Sequence, residues 1–79
     1  MPHRKDNVMA MKKLKSIRKA RGYTQGELAY MVGVSITAIS LYENGARIPN
    51  IKTLAKLAKA LRCRIADLID NEDVQTTSI

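Results

Sequence analysis

The sequence predicts an all-α fold, a compact bundle of five short helices. The chain has 79 residues, of which 46% are hydrophobic and 4% aromatic. A chain of this length and composition closes one small, mainly aliphatic core. Apolar residues recur at helical spacing, and glycine, proline and capping residues interrupt them at short intervals. No segment shows the alternation that is typical of a strand.

The first helix is predicted to begin near Asn7 or Val8 and to end at Gly22. Glycine is favoured directly after a helix because it adopts positive φ without a steric penalty. The residues that share the buried face of this helix are Met11, Leu14, Ile17 and Arg18. Their spacing places them on one side of a helix.

Two shorter helices follow, with Gly33 between them. The stretch "TQGE" at 24–27 is a capping box, in which the Thr24 hydroxyl and the Glu27 carboxylate each accept from the other residue's backbone N–H. Ser35 is predicted to cap the third helix, and "ENG" at 43–45 to end it. The inward-facing residues are predicted to be Leu28, Ala29, Val32, Ile39 and Tyr42.

The fourth helix is predicted to follow Pro49, with Asn50 as its cap. Its apolar stripe is Ile51, Leu54, Leu57, Ala58 and Leu61. A fifth, short helix spans about Ile65 to Ile69. The folded domain is therefore predicted to cover residues 8–70. Residues 1–7 would form a basic, flexible N-terminal arm, and 71–79 a polar, acidic tail.

The charges are distributed unevenly along the chain. The formal net charge is +7, yet residues 23–44 contain no lysine or arginine and two acids, Glu27 and Glu43. Basic residues are concentrated on either side of this segment, within 1–22 and 45–64. A strongly basic protein is expected to bind a polyanion: a nucleic acid such as double-stranded DNA or, as the alternative, an anionic membrane. The central segment lacks basic residues, which raises the question of what role it has in binding a polyanion.

Several other classes of protein are not expected. A single cysteine, Cys63, excludes an intramolecular disulfide and fits a cytoplasmic protein. We expect no membrane segment, because no apolar run approaches the ~20 residues needed to cross a bilayer. One histidine and one cysteine make a metal site improbable, and no cofactor motif is present. We expect neither an enzyme nor a small-molecule ligand, because helices this short should not enclose a pocket of ~300 Å³.

Two short helices joined through a glycine, the second capped by serine, form a helix-turn-helix pattern. Residues 14–69, about seven tenths of the chain, resemble the phage repressor and Cro-type (XRE-like) helix-turn-helix family. The matching segments are "LKSIRKARGYTQGELA" (14–29), "VGVSITAISLYENG" (32–45), Pro49 and "LAKLAKALRCRIADLI" (54–69). This resemblance implies a lambda-repressor-like fold and a sequence-specific transcriptional regulator, with a recognition helix at 35–44 in the major groove.

The resemblance assigns the base contacts to the recognition helix. The positions concerned are Ser35, Ile36, Thr37, Ser40 and Leu41. The family usually carries polar or basic side chains where this chain has Ile36 and Leu41. Base edges can be read without charge, because aliphatic carbons pack on the thymine methyl and hydroxyls donate or accept hydrogen bonds. We therefore expect thymine contacts at these two residues.

The resemblance also assigns contacts to the DNA backbone. Gln25 matches a phosphate-binding residue, and Thr24 is a further candidate beside it. Asn44 and Arg47 match phosphate-contacting positions expected on the other side of the groove. The free amides and positive dipole at a helix N-terminus support such contacts.

The resemblance further implies a buried ion pair between Arg18 and Glu43. A helix-turn-helix module of this size usually binds as a homodimer, because one module buries little DNA surface. The dimer would read a pseudo-palindromic operator, and repression by steric occlusion is the simplest mechanism. Candidate dimer contacts are Leu61, Ile65, Leu68, Ile69 and Val74.

Other interpretations remain open at this stage. Ile36 and Leu41 could belong to the core or to an exposed protein-binding patch. The lysines of the first helix could form a solvated face rather than DNA contacts. The chain could also be an antitoxin of the same fold, with a toxin protein as its main partner. A redox role for Cys63 would require a lowered pKa of its thiol.

Overall fold

The computed structural model describes residues 11–69, and within this range every regular element is a helix. The helices, in chain order, are α1 Lys12–Ala20, α2 Gln25–Val32, α3 Ile36–Glu43, α4 Ile51–Leu61 and α5 Ile65–Leu68. The all-α, five-helix fold is as predicted. None of the described helices is long and apolar enough to cross a membrane. The predicted N-terminal arm and acidic tail lie outside the described residues.

The core lies where α2 packs against α3 and α4, and where α5 closes against α4 and α1. Its buried apolar residues are Met11, Leu14, Leu28, Ala29, Val32, Ala38, Ile39, Tyr42, Leu57, Ala58, Leu61 and Leu68. Tyr42 is the only aromatic residue among them. The core is therefore mainly aliphatic, as the composition indicated.

The first helix begins later than predicted. Met11 is the residue before α1, and its side chain makes no capping hydrogen bond. The predicted start at Asn7 or Val8 is thus wrong for this helix, because apolar spacing alone contained no capping residue to fix the start. Its end agrees with the prediction, since Gly22 has a φ of +82°.

The capping residues of α2, α3 and α4 are those predicted. Thr24 and Glu27 form both hydrogen bonds of the capping box. The Asn50 side chain accepts a hydrogen bond from the Thr53 N–H at 2.8 Å. The apolar stripe of α4 is shorter than predicted, because Ile51 at its start is 67% exposed. The last helix ends at Leu68, one residue before the predicted Ile69.

Candidate DNA-binding surface

The turn between α2 and α3 is short and well fixed. Gly33 adopts a left-handed conformation with a φ of +84°. Its N–H and that of Val34 both donate to the Ala29 carbonyl, at 2.8 and 3.0 Å. The Ser35 hydroxyl then accepts from the Ala38 N–H at 3.0 Å, which begins α3. These contacts set the direction in which α3 leaves α2.

The third helix has two distinct faces. Ala38, Ile39, Tyr42 and Glu43 are buried against the rest of the protein. On the other side, Ser35, Ile36 and Thr37 are exposed, and Ser40 and Leu41 are half-buried. The five predicted base-contacting residues therefore share one accessible side of the helix, and none of them carries a charge. Ile36 is 57% exposed, so its interpretation as a core residue is wrong.

The predicted phosphate contacts lie at the start of α2 and just after α3. Gln25 is half-buried, and its side-chain amide donates to Glu43 Oε1 at 3.0 Å. Since Asn44 directly follows Glu43, this bond places the start of α2 beside the end of α3. The assignment of Asn44 and Arg47 to the other side of the groove stays a prediction. Thr24, Asn44 and Arg47 are exposed.

Thr24, Glu27 and Asn44 also accept hydrogen bonds from nearby backbone N–H groups. The Thr24 hydroxyl accepts from the Glu27 N–H at 3.0 Å, and the Thr24 N–H donates to the Glu27 carboxylate at 2.8 Å. Asn44 Oδ1 accepts from the Ala46 N–H at 3.2 Å. The Glu27 amide is used in this cap, whereas the amides of Gln25 and Gly26 have no acceptor within the helix and are available to an anion. Among the four candidates, only Arg47 brings a positive charge.

A buried ion pair between Arg18 and Glu43 lies next to the Gln25 side chain. Arg18 Nε donates to Glu43 Oε2 at 2.6 Å, and Arg18 Nη2 donates to Oε1 at 3.2 Å. Arg18 Nη1 also donates to the Tyr23 carbonyl at 2.9 Å. Both side chains are less than one tenth exposed. The pair joins α1 to the end of α3, and through Gln25 it also reaches the start of α2.

Basic residues are distributed unevenly among the helices. Within the described residues, α2 and α3 contain no lysine or arginine, and the Glu43 charge is paired with Arg18. The exposed basic residues of the described range lie outside these two helices: Lys12, Lys15, Lys19, Arg21, Arg47, Lys52, Lys56, Lys59, Arg62 and Arg64. Together they contribute to the positive potential of the protein as a whole. The exposure of the α1 lysines fits both a solvated face and contacts with DNA.

One structural role was missed by the sequence analysis. Arg21 Nε donates to the Leu61 carbonyl at 2.7 Å, and Nη2 donates to the Arg62 carbonyl at 3.4 Å. Arg21 thereby satisfies carbonyls at the end of α4, where Arg62 adopts a left-handed conformation with a φ of 57°. These contacts join residues about forty positions apart, so no local pattern could have indicated them.

An open groove of about 510 Å³ lies along α2 and the two residues before it. The residues that line it are Tyr23, Thr24, Gly26, Glu27, Tyr30 and Met31. The groove is open to the surface and is not an enclosed pocket, so the expectation that the fold encloses no pocket of ~300 Å³ stays a prediction. The side chains of Tyr30 and Met31, which are among its lining residues, are exposed.

The predicted dimer contacts must be revised. Leu61 and Leu68 are completely buried in the protein's own core, so neither side chain can contact a second copy. Ile65 and Ile69 are half-buried, and Val74 lies outside the described residues. Cys63 is half-buried nearby, and its burial raises the pKa of the thiol. A raised pKa reduces the thiolate fraction and does not support a redox role.

The helix-turn-helix family model (HTH_3) matches residues 14–68. The chain therefore belongs to the helix-turn-helix family of DNA-binding transcriptional regulators, in the phage repressor and Cro-type group. It is similar to the cryptic phage CTXphi transcriptional repressor RstR of Vibrio cholerae serotype O1, with 38% identity over 56 residues. That match covers 71% of this chain and 50% of RstR.

Two further similarities concern an activator and a repressor–operator complex. The HTH-type transcriptional activator BcrR of Enterococcus faecalis is 36% identical over 64 residues, which cover 81% of this chain and 31% of BcrR. The P22 c2 repressor in complex with a synthetic operator has a TM-score of 0.73 and 35% identity, covering 78% of this chain and 94% of that structure. The chain thus spans half or less of RstR and BcrR, and nearly all of the P22 c2 chain.

Proposed function

We propose that this protein is a transcriptional repressor that binds a pseudo-palindromic operator as a homodimer, with residues 35–44 in the major groove. The observation that carries this proposal is the accessible, uncharged side of α3. It lies beside a cluster of polar residues at the start of α2. The names of RstR and the P22 c2 repressor support repression, whereas BcrR is described as an activator.

The bases are read by side chains that carry no charge. Ile36 and Leu41 would pack on thymine methyl groups, and the hydroxyls of Ser35, Thr37 and Ser40 would hydrogen-bond to base edges. The Ser35 hydroxyl already accepts from the Ala38 N–H, so its own hydrogen remains for a base acceptor. Specificity would then depend on apolar contact and hydroxyl geometry rather than on a charged reader.

The phosphates are bound by Thr24, Gln25, Asn44 and Arg47. An amide nitrogen carries two hydrogens, and Gln25 directs one of them to Glu43. The second hydrogen is free to point outward to a phosphate oxygen. Arg47 adds a charged contact just after α3, and the exposed lysines raise the rate of encounter with DNA.

The homodimer contact would involve the exposed parts of Ile65 and Ile69. These residues belong to α5 and its end, which remain partly accessible after packing on α1 and α4. Two modules related by a two-fold axis would place their recognition helices about 34 Å apart, one turn of DNA. Analytical ultracentrifugation tests this directly, and an Ile65→Asp variant should remain monomeric where the wild type dimerises.

The test of the proposed function is selection of bound sequences from random duplex DNA. A two-fold symmetric site containing thymine is expected for the wild type. Ile36→Ala and Leu41→Ala should each lose the thymine preference at one position of the half-site. Arg47→Ala should weaken binding to all sequences alike and reduce the salt dependence by about one charge. Lys59→Ala is the matched control, because Lys59 is an exposed basic residue of α4 that is not assigned to a phosphate.

Two outcomes would contradict the proposal. Enrichment of no sequence would mean that the accessible face of α3 binds a protein, such as a toxin partner, rather than DNA. A site without two-fold symmetry would exclude the dimer. A promoter–reporter assay with the selected site overlapping the promoter separates repression from activation, because an activator would raise the signal.

A further inference from the structure

Gly26 and Ile36 pack against each other across the two helices of the motif. A Cβ atom added to Gly26 would lie 3.4 Å from Ile36 Cδ1 and 3.8 Å from Ile36 Cγ1. Gly26 is in the first turn of α2, and Ile36 is the first residue of α3. The end of the Ile36 side chain thus rests over the backbone of α2, although the residue is 57% exposed.

The backbone of α2 does not itself require glycine at this position. Among the glycines in the described residues, Gly22, Gly33 and Gly45 have positive φ angles, whereas Gly26 does not. Glycine within a helix is less favourable than alanine. Ile36 lies at ordinary contact distance from a Cβ atom at this position, so a methyl group fits there, whereas a longer side chain would meet Ile36.

We propose that Gly26 is a positioning residue that sets the base preference of Ile36, an inference that rests on the proposed function above. With glycine at 26, the Ile36 side chain folds back onto α2 and presents only part of its apolar surface to the groove. A side chain longer than alanine at 26 occupies that space and moves the Ile36 methyl groups. The distance between these methyl groups and a thymine methyl then changes, although residue 26 touches no base.

The size of the new side chain provides a graded test. Gly26→Ala places its Cβ at an ordinary contact distance from Ile36 and should leave the selected sequence unchanged. Gly26→Leu should change the preference at the base pair facing Ile36 by about five-fold or more, the lower range for loss of a good base contact. The other positions of the half-site should keep their preference.

The matched control is the same substitution without the isoleucine. In the Ile36→Ala background, Gly26→Leu has no side chain to displace, so it should select the same sequences as Ile36→Ala alone. An equal change of preference in both backgrounds would show that residue 26 acts by another route and would overturn the inference. Circular dichroism confirms that each variant is folded before selection.

A second measurement does not depend on DNA. The ¹³C shift of the Ile36 δ1 methyl group reports its side-chain rotamer. It should change in Gly26→Leu, or in Gly26→Ser if the leucine variant does not fold, and stay constant in Gly26→Ala. If Gly26→Leu changed neither the methyl shift nor the selected sequence, the inference about Gly26 would be overturned and the proposed function would stand. A wild-type protein that enriches no sequence would overturn the proposed function as well.

Discussion

Arg18 and Glu43 are joined at two points across 25 positions of sequence, with Arg18 Nε 2.6 Å from Glu43 Oε2 and Nη2 3.2 Å from Oε1. Both side chains are buried, and each has one further partner, the Tyr23 carbonyl for Arg18 and the Gln25 amide for Glu43. Neither charge is therefore left without a partner. The pair holds the end of α3 against α1 and, through Gln25, against the start of α2.

Arg18→Met and Glu43→Gln should each destabilise the protein severely. Removal of one partner leaves a buried charge unpaired, which costs about 3–5 kcal/mol. A domain of this size has a stability of only about 3–5 kcal/mol, so both single variants should be largely unfolded at room temperature. Urea denaturation followed by circular dichroism measures the effect. The double variant Arg18→Met/Glu43→Leu should lose clearly less than the sum of the single losses.

The matched control for the ion pair is Lys19→Met, the neighbouring exposed base on α1. Its free energy of unfolding should stay within about 0.5 kcal/mol of the wild type. If Arg18→Met unfolded at the same urea concentration as Lys19→Met, the pair would contribute nothing to stability.

Features determined by a few neighbouring residues were predictable from the sequence. Thr24, Ser35 and Asn50 each begin the helix that their residue type indicated. The accessible side of α3 followed from helical spacing, which separates Ile36 from Ile39. The candidate site is thus largely predictable at the level of which side chains are accessible.

Features that depend on tertiary packing were not predictable. Leu61 and Leu68 were assigned to a dimer contact, yet both complete the protein's own core, because apolar spacing does not distinguish the two. Gln25 was assigned to phosphate alone, and its bond to Glu43 spans 18 positions. The contact between Gly26 and Ile36 likewise requires the angle between α2 and α3.

Leu28 and Tyr30 should respond very differently to substitution by alanine. Leu28 is completely buried, whereas Tyr30, two residues further along α2, is 89% exposed. Leu28→Ala should cost about 2–5 kcal/mol, because it leaves a cavity in the core. Tyr30→Ala should change the free energy of unfolding by no more than about 0.5 kcal/mol. Thermal or urea unfolding of both variants provides the comparison, and equal losses would mean that the groove wall at Tyr30 is part of the packed core.

Ser35→Ala and Asn50→Ala should have similar effects on stability and different effects on DNA selection. Each removes a cap that accepts one backbone N–H, from Ala38 at 3.0 Å and from Thr53 at 2.8 Å. Loss of such a cap costs about 1 kcal/mol. Only Ser35 is among the proposed base contacts, so only Ser35→Ala should also alter the selected sequence. An altered sequence for Asn50→Ala would show that loosening a helix end is enough to change specificity.

The stability contributed by Asp67 should disappear in acid. The Arg64 N–H donates to Asp67 Oδ2 at 2.9 Å, and this bond, with the Arg64 side chain as a second cause, lowers the pKa of the carboxyl group. A carboxyl whose pKa is lower in the folded state stabilises that state above its unfolded pKa, about 3.9 for aspartate. The contribution is lost as the pH falls through the folded pKa.

The comparison that tests this is between the wild type and Asp67→Ala over a range of pH. The difference in their free energies of unfolding should be constant near neutral pH and should shrink as the pH falls below about 4. Arg64→Ala is the matched control: it removes the side-chain contact and keeps the backbone N–H, so it should reproduce only the smaller part of the acid dependence. A difference that did not change with pH would mean that Asp67 stabilises α5 without its charge. An equal effect of Arg64→Ala would assign the stabilisation to the guanidinium instead.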